Sequence, residues 1–280
     1  MQQITLSSLK LQELRIVQLL VCKILPIMEQ QCYNSTMIGY ISCFVSFALC
    51  TFIYINMVKR EEPATLGKKS IIPAALGFIA PVFTFIFLLL IKMLILNIAG
   101  DSVVIRIPNL VLKSLAKAFL GAGFTEEFIK LLFALLAVAI VRPKNVYAYA
   151  LMFIGVGFGF TALEEIIYGG DNDLLSLARL PGFALHMVFG MIMGVQLGLA
   201  KHNRKHGTGG SAKHVLAALV LPVLWHTIYD AATVDNAGLE ADIDIALVIA
   251  LVIDVASIVL QFIMLSNFKK RSKELCQMEF

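Results

Sequence analysis

Seven apolar runs, at roughly 36–57, 73–98, 114–141, 146–168, 180–201, 214–234 and 243–266, take up most of the chain. An α-helix rises about 1.5 Å per residue and the hydrocarbon of a bilayer is about 30 Å thick, so runs of this length are membrane-spanning helices. The predicted fold class is all-α: a polytopic transmembrane helix bundle of about seven spans. Composition agrees, because 59% of the 280 residues are hydrophobic and only 15% charged, with a mean hydropathy of +0.85. A soluble domain would be about half apolar and a quarter charged. No polar stretch is long enough to enclose a core of its own, so residues 1–280 read as a single integral membrane domain. The net charge of +4 is spread over short loops, which excludes nucleic acid as a partner and leaves the lipid bilayer.

The N-terminal stretch from Ile16 to Met28 is interrupted by Lys23 and Pro26 and has no small-residue cleavage site. It is short for a span, so an interfacial helix is predicted rather than a signal peptide. Loop charge sets the orientation. Lys59, Arg60, Lys68 and Lys69 follow the first run, Arg142 and Lys144 the third, Lys201, Arg204, Lys205 and Lys213 the fifth, and Lys269, Lys270, Arg271 and Lys273 the last. The alternate turns carry Asp171 and Asp173, then Asp235, Glu240 and Asp242. Lys and Arg resist translocation, so the basic loops and the C-terminus are predicted to be cytoplasmic and the acidic loops external. Seven spans then place the N-terminus outside, against the charge of Lys10, Arg15 and Lys23.

Glycines recur at helical spacing, Gly155 with Gly159 and Gly190 with Gly194 and Gly198, which lets membrane helices approach closely. The Gly155–Phe160 segment, GVGFGF, lies inside an apolar span without strand–turn–helix context and is not a dinucleotide fingerprint. Cys22, Cys32, Cys43, Cys50 and Cys276 have neither metal nor disulfide spacing, and Cys43 and Cys50 read as small hydrophobes.

Four spans break the apolar pattern with groups capable of chemistry. They are Thr125-Glu126-Glu127 with Lys130, Glu164-Glu165 ahead of Tyr168, Arg179 with His186, and His226 with Asp230. An ionisable group near mid-bilayer costs roughly 2.5–3.5 kcal/mol, so such groups are usually paired, cavity-facing and functional. Glu126 and Lys130 share a helix face and can pair, whereas Glu127 points about 100° away and needs another partner. Counting about 1.5 Å per residue from the predicted outer ends, Glu164 lies about 6 Å deep, His186 about 9 Å, His226 about 12 Å and Glu126 about 18 Å. Four antiparallel helices thus bring polar residues to the outer half of the bilayer, which a shared site explains better than separate structural pairs. A carboxylate in an apolar wall holds its proton more tightly than in water, which suits a general base, and neutral histidines can orient water or stabilise an oxyanion. These parts suit amide hydrolysis by an activated water. No serine or cysteine is paired with a base for acyl-enzyme chemistry.

The series Glu126-Glu127-x-x-Lys130, Phe160-x-x-x-Glu164, Arg179 with His186, and His226-x-x-x-Asp230 resembles the PrsW-type intramembrane proteases. These are similar in turn to the CAAX-protease/Abi superfamily of glutamate-dependent membrane proteases. The resemblance covers residues 114–234, a four-span catalytic core. It implies a peptidase of the prokaryotic plasma membrane that makes a first, site-1 cut in a membrane-anchored protein such as an anti-sigma factor, near the extracytoplasmic face. It also implies that Glu126 or Glu127 activates water with His186 assisting. His226 and Asp230 complete the site or stabilise the oxyanion, with Lys130, Glu164 and Arg179 in support. The family pattern has Glu-Asn where this chain has Glu164-Glu165, which leaves the role of Glu165 open. No obligatory cofactor is expected, because HExxH spacing is absent. The alternative is a His₂Glu site for a divalent metal such as zinc on Glu127, His186 and His226. A proton-coupled transporter or a non-catalytic scaffold of the same fold are the rival readings. Asp254 is an isolated acid in the last run that could join the cluster or pair with Lys92, and His202, His206 and His214 belong with the basic loop.

Overall fold

The computed structural model describes residues 33–99, 109–168, 183–233 and 243–280. Among these residues the chain is helical with no strand beyond an isolated bridge between Asn145 and Glu279. The helices are α1 (Tyr33–Val58), α2 (Ile71–Ala99), α3 (Leu110–Ala118), α4 (Phe124–Val141), α5 (Val146–Tyr168), α6 (Leu185–His206), α7 (Ser211–Thr233), α8 (Ile243–Lys270) and the short α9 (Ser272–Gln277). Helix occupies each of the seven apolar runs. Five helices, α1, α2, α5, α7 and α8, are long and apolar enough to cross a membrane. The remaining two runs, α3–α4 and α6, carry Glu126, Glu127 and Lys130 in one and a basic C-terminal turn in the other. The predicted interfacial helix at 16–28, with Cys22 and Cys32, and the acidic turns lie outside the described residues.

Helix ends follow local chemistry. Asn109 caps α3 by accepting the Leu112 N–H on its side-chain oxygen at 2.9 Å, satisfying an amide that has no partner within the helix. At the far end of α6, Arg204, Lys205 and His206 complement the C-terminal dipole, and Gly207 stops the helix at a φ of 66°. This explains why α6 outlasts its apolar run. Its start, at Leu185, falls later than the run suggests, so His186 sits on the first turn rather than deeper in a span.

Helix α5 is the axis of the bundle. Of its spanning stretch 89% is buried inside the protein, against 11–28% for the other four apolar helices. It packs most extensively on α6 and α2, and also on α1 and α4. The tightness of these interfaces depends on missing side chains. A β-carbon on Gly77 would strike the Val156 backbone, one on Gly159 the Ala74 carbonyl, and one on Gly190 the Phe153 carbonyl. Lipid is as apolar as the helix faces, so close van der Waals packing of this kind is what holds such helices together. The core that results, with Tyr147, Leu151, Met152, Phe153, Met187 and Met191 almost wholly enclosed, lies mostly between α5 and α6.

Gly77→Ala and Gly190→Ala are each expected to destabilise the protein by about 1–3 kcal/mol or more, as overpacking does. Gly121→Ala, where a β-carbon meets open space, is expected to leave stability within about 1 kcal/mol of wild type, since Ala also favours helix. Thermal unfolding in one detergent compares all three.

Candidate active site

The polar residues of α4, α5, α6 and α7 meet at one place. Between α3 and α4 the chain makes a π-turn over Phe119–Gly123, and Glu126 and Glu127 follow on the first turn of α4. Gly123 lies against Thr227 of α7, where a β-carbon would collide with Thr227 Oγ1. Thr125 donates its hydroxyl to the Gly121 carbonyl at 3.0 Å, taking up an acceptor in the turn. The local sequence FLGAG therefore lets α4 press on α7 and turns both glutamates toward it. Such π-bulges are frequent at functional sites.

Lys130 is the hub. Its ammonium lies 2.6 Å from Glu127 Oε1, 3.5 Å from Glu126 Oε2 and 2.8 Å from His186 Nδ1, and 4.3 Å from the centre of the Phe160 ring. An ammonium has donors only, so His186 Nδ1 accepts its hydrogen bond. The imidazole proton is then on Nε2, which donates to Glu164 Oε2. His226 is arranged the other way round. Its Nδ1 donates to Glu127 Oε1 at 2.8 Å, and its Nε2 faces Glu126 Oε2 at 3.8 Å and Asp230 Oδ2 at 3.7 Å. The two imidazoles are T-shaped with centroids 5.3 Å apart.

The two adjacent glutamates differ. Glu127 is 1% exposed and locked between Lys130 and His226, whereas the Glu126 side chain is 16% exposed and only loosely engaged. Glu164 is bound to His186 as above. Glu165 is buried, and its backbone carbonyl accepts the Cys43 thiol. Arg179 lies outside the described residues. Asp254, on α8, is hydrogen-bonded to Tyr229, the neighbour of Asp230, rather than to Lys92. His202 and His206 bond to the Glu279 carbonyl, and His214 pairs with Gln196, all away from the cluster.

A metal ion fits these donors in part. One ligand atom each from Glu126, His186 and His226 lies within 4.8 Å of the other two. The triad thus takes Glu126 where the sequence pattern suggests Glu127, because Glu127 is spent behind His226. His226 Nε2 stands between two carboxylates, and among the described residues Glu127 Oε2 is buried with no hydrogen-bond partner, so the pocket can accommodate positive charge. His186, engaged on both nitrogens, has to release Lys130 or Glu164 before it can ligate.

Three positioning groups carry no motif. Gln261 of α8, buried, accepts the Ala184 N–H on Oε1 at 3.0 Å, and Cys50 of α1 donates to the Phe183 carbonyl at 3.1 Å. Together they grip the entry to α6 two or three residues before His186. Gly157 lets α5 touch the His186 carbonyl, which a β-carbon would strike. The one sequence signal for Gln261 is its spacing with Asp254 and Ser257, which puts three polar groups on one face of an apolar helix; Ser257 accepts the Trp225 indole N–H at 3.3 Å.

Long apolar helices around a cluster of carboxylates and imidazoles define a class: an integral membrane protein with an ionisable centre inside its helix bundle. The chain belongs to the family described as PrsW family intramembrane metalloprotease, whose model matches residues 71–260. Protease PrsW of Halalkalibacterium halodurans is 36% identical over 121 residues, 42% of this chain and 54% of that protein. Protease PrsW of Geobacillus kaustophilus is 27% identical over 190 residues, 65% of this chain and 73% of its own length. Protease PrsW of Shouchella clausii is 33% identical over 122 residues, 41% and 53% respectively. The chain thus spans about half the length of two of these relatives. No solved structure matches. The family description favours the metal alternative over the expectation of no cofactor.

Lys130→Met is expected to cost about 3–5 kcal/mol, because Glu127 stays buried without its cation. Adding Glu127→Gln, which keeps an acceptor for His226, is expected to recover most of that loss. Thermal unfolding of the two single variants and the double variant measures the coupling, and additive effects would show that the pair is not held as described.

Proposed function

We propose that the chain is an intramembrane endopeptidase that cuts a membrane-anchored protein near the extracytoplasmic face of a prokaryotic plasma membrane. The observation that carries this reading is the convergence of half-buried Glu126 and His186 with buried His226 in one cluster, in a chain of this family. In the proposed topology the seven long helices all span the bilayer, with the basic loops and the C-terminus cytoplasmic, so that the cluster lies toward the outer side. A single-span protein of the anti-sigma-factor type is the proposed substrate class.

Glu126 is the proposed base. It is the more accessible of the two glutamates, and its Oε2 faces His226 Nε2. A water there loses its proton to Glu126 as its oxygen bonds to the scissile carbonyl carbon. Glu126 then passes that proton to the amide nitrogen as the C–N bond breaks, leaving a new carboxylate and a new amine. Glu127 holds His226 in the tautomer that turns Nε2 inward, Lys130 keeps Glu127 ionised and His186 in place, and Asp230 faces the same nitrogen. Were a divalent ion such as zinc held by Glu126, His226 and His186, it would supply Lewis-acid activation of the water and the carbonyl, and Glu126 would then act as its ligand and not as the base.

Membranes containing the wild-type protein are expected to yield new protein N-termini near the outer ends of single-span proteins. Glu126→Gln is expected to reduce them by roughly 10²–10⁴-fold, the usual contribution of a general base. Purified wild type is expected to hold a divalent metal by elemental analysis, and His226→Ala to lose it. Identical N-terminal profiles from wild type and a folded Glu126→Gln variant would turn the reading to a transporter or scaffold. Equal residual cleavage in Glu126→Gln and Glu127→Gln would defeat the single-base assignment.

A further inference from the structure

The end of the bundle opposite the site has its own chemistry. Glu126 stands on the first turn of α4 and Arg142 at its C-cap, sixteen residues and about 24 Å of helix away. At that far end the α1–α2 and α4–α5 loops enclose an open cavity of about 500 Å³. Clefts that hold small ligands run from roughly 300 to 1,000 Å³. Lys69, Arg142 and Lys144 line it together with Thr65, and Ile140 and Pro143 form part of its apolar wall. No carboxylate lines the cavity. Glu61, in the same loop, is buried and bound to the Thr65 hydroxyl and, at 2.9 Å, to the Leu66 N–H. Among the described residues the three cations are exposed and pair with no acid.

Arg142 adds a second, independent observation. It adopts φ 56° and ψ 61°, the left-handed conformation in which helices usually place glycine or asparagine. A side chain there is strained, and strained backbone concentrates at functional positions. Loop basicity that fixes orientation requires neither this conformation nor convergence on a cavity. A third feature separates a lipid from a free anion. Leu132, Leu136 and Ile140, one turn apart along α4, form an exposed apolar stripe that runs up to the cavity.

We propose that this cavity binds the phosphate headgroup of an anionic phospholipid. Arg142 offers a two-pronged guanidinium to the phosphate, and Lys69 and Lys144 flank it as point charges. An acyl chain follows the Leu132–Leu136–Ile140 stripe. The site is separate from the water-activating cluster, and the proposal stands whether or not the chain cleaves peptides.

The test uses the full-length protein, delipidated in detergent, titrated with phosphatidylglycerol or phosphatidylcholine and read by native mass spectrometry. Wild type is expected to prefer phosphatidylglycerol by about tenfold or more, and Lys69→Gln or Lys144→Gln to weaken it about fivefold each, as for one surface cation. Arg142→Gly is the discriminating variant. It removes the charge while relieving the backbone, so thermal stability is expected to hold or rise as phosphatidylglycerol binding falls about fivefold or more. Millimolar inorganic phosphate is expected not to displace the lipid. Equal affinity for the two lipids, an Arg142→Gly variant that binds like wild type, or displacement by inorganic phosphate would each overturn the proposal.

Discussion

One ammonium group organises the site. Lys130 satisfies its donors on Glu127, His186 and the edge of Glu126, and lies against the face of Phe160. Two consequences follow from a single charge. The first is that Glu127 can remain ionised at 1% exposure, and an ionised Glu127 is what draws the Nδ1 proton of His226. The second is that His186 is forced to accept on Nδ1 and therefore to donate to Glu164. Opposite tautomers in two histidines 5.3 Å apart are thus set by where one lysine stands. A buried pair of this kind contributes little net stability, but breaking it is costly, so its effect is to fix geometry.

That geometry depends in turn on backbones that nearly touch. Polar side chains are short compared with the separation of ordinary helices, which is 8–10 Å between axes. Gly157 allows α5 to reach the His186 carbonyl, and Gly123 allows α4 to reach Thr227, one residue from His226. Each contact sits beside a histidine of the cluster. Gly157 on α5 and the π-turn before α4 are therefore parts of the site as much as parts of the packing.

Much of this was legible in the residues. Apolar length reveals the helices, and the rarity of charge in such helices singles out Glu126, Glu127, Lys130, Glu164, His186, His226 and Asp230. The i, i+4 spacing anticipates the Glu126–Lys130 pair. It does not anticipate that Lys130 lies closer to Glu127, at i−3, because both spacings put a carboxylate within reach and the choice is made by the Lys130 side chain's other partners, His186 and Phe160. Nor does it separate the two glutamates, whose difference is one of exposure and not of type. Gln261 and Cys50 were hidden for another reason. Each acts through a backbone amide or carbonyl of the segment ahead of α6, and backbone partners leave no mark in a side-chain pattern.

The charge of the cluster bears on what completes it. Among the described residues Glu126, Glu127, Glu164 and Asp230 face the two histidines, and Lys130 is the single permanent cation bound to them. Four carboxylates against one ammonium cannot all stay ionised in a water-poor site without further positive charge. Protons on carboxylates or imidazoles would supply it, and so would a divalent ion. The two solutions differ in what they ask of His226 Nε2. A proton there would face Glu126 and Asp230 at 3.8 and 3.7 Å and would block the lone pair, whereas a metal ion uses the lone pair that Glu127 has already turned inward. The carboxylate–histidine arrangement on the Nδ1 side is the one that commonly supports a metal-bound imidazole. The Nδ1-side arrangement is compatible with a cation at Nε2, and the metal content of the purified protein separates that solution from a site that runs on protons.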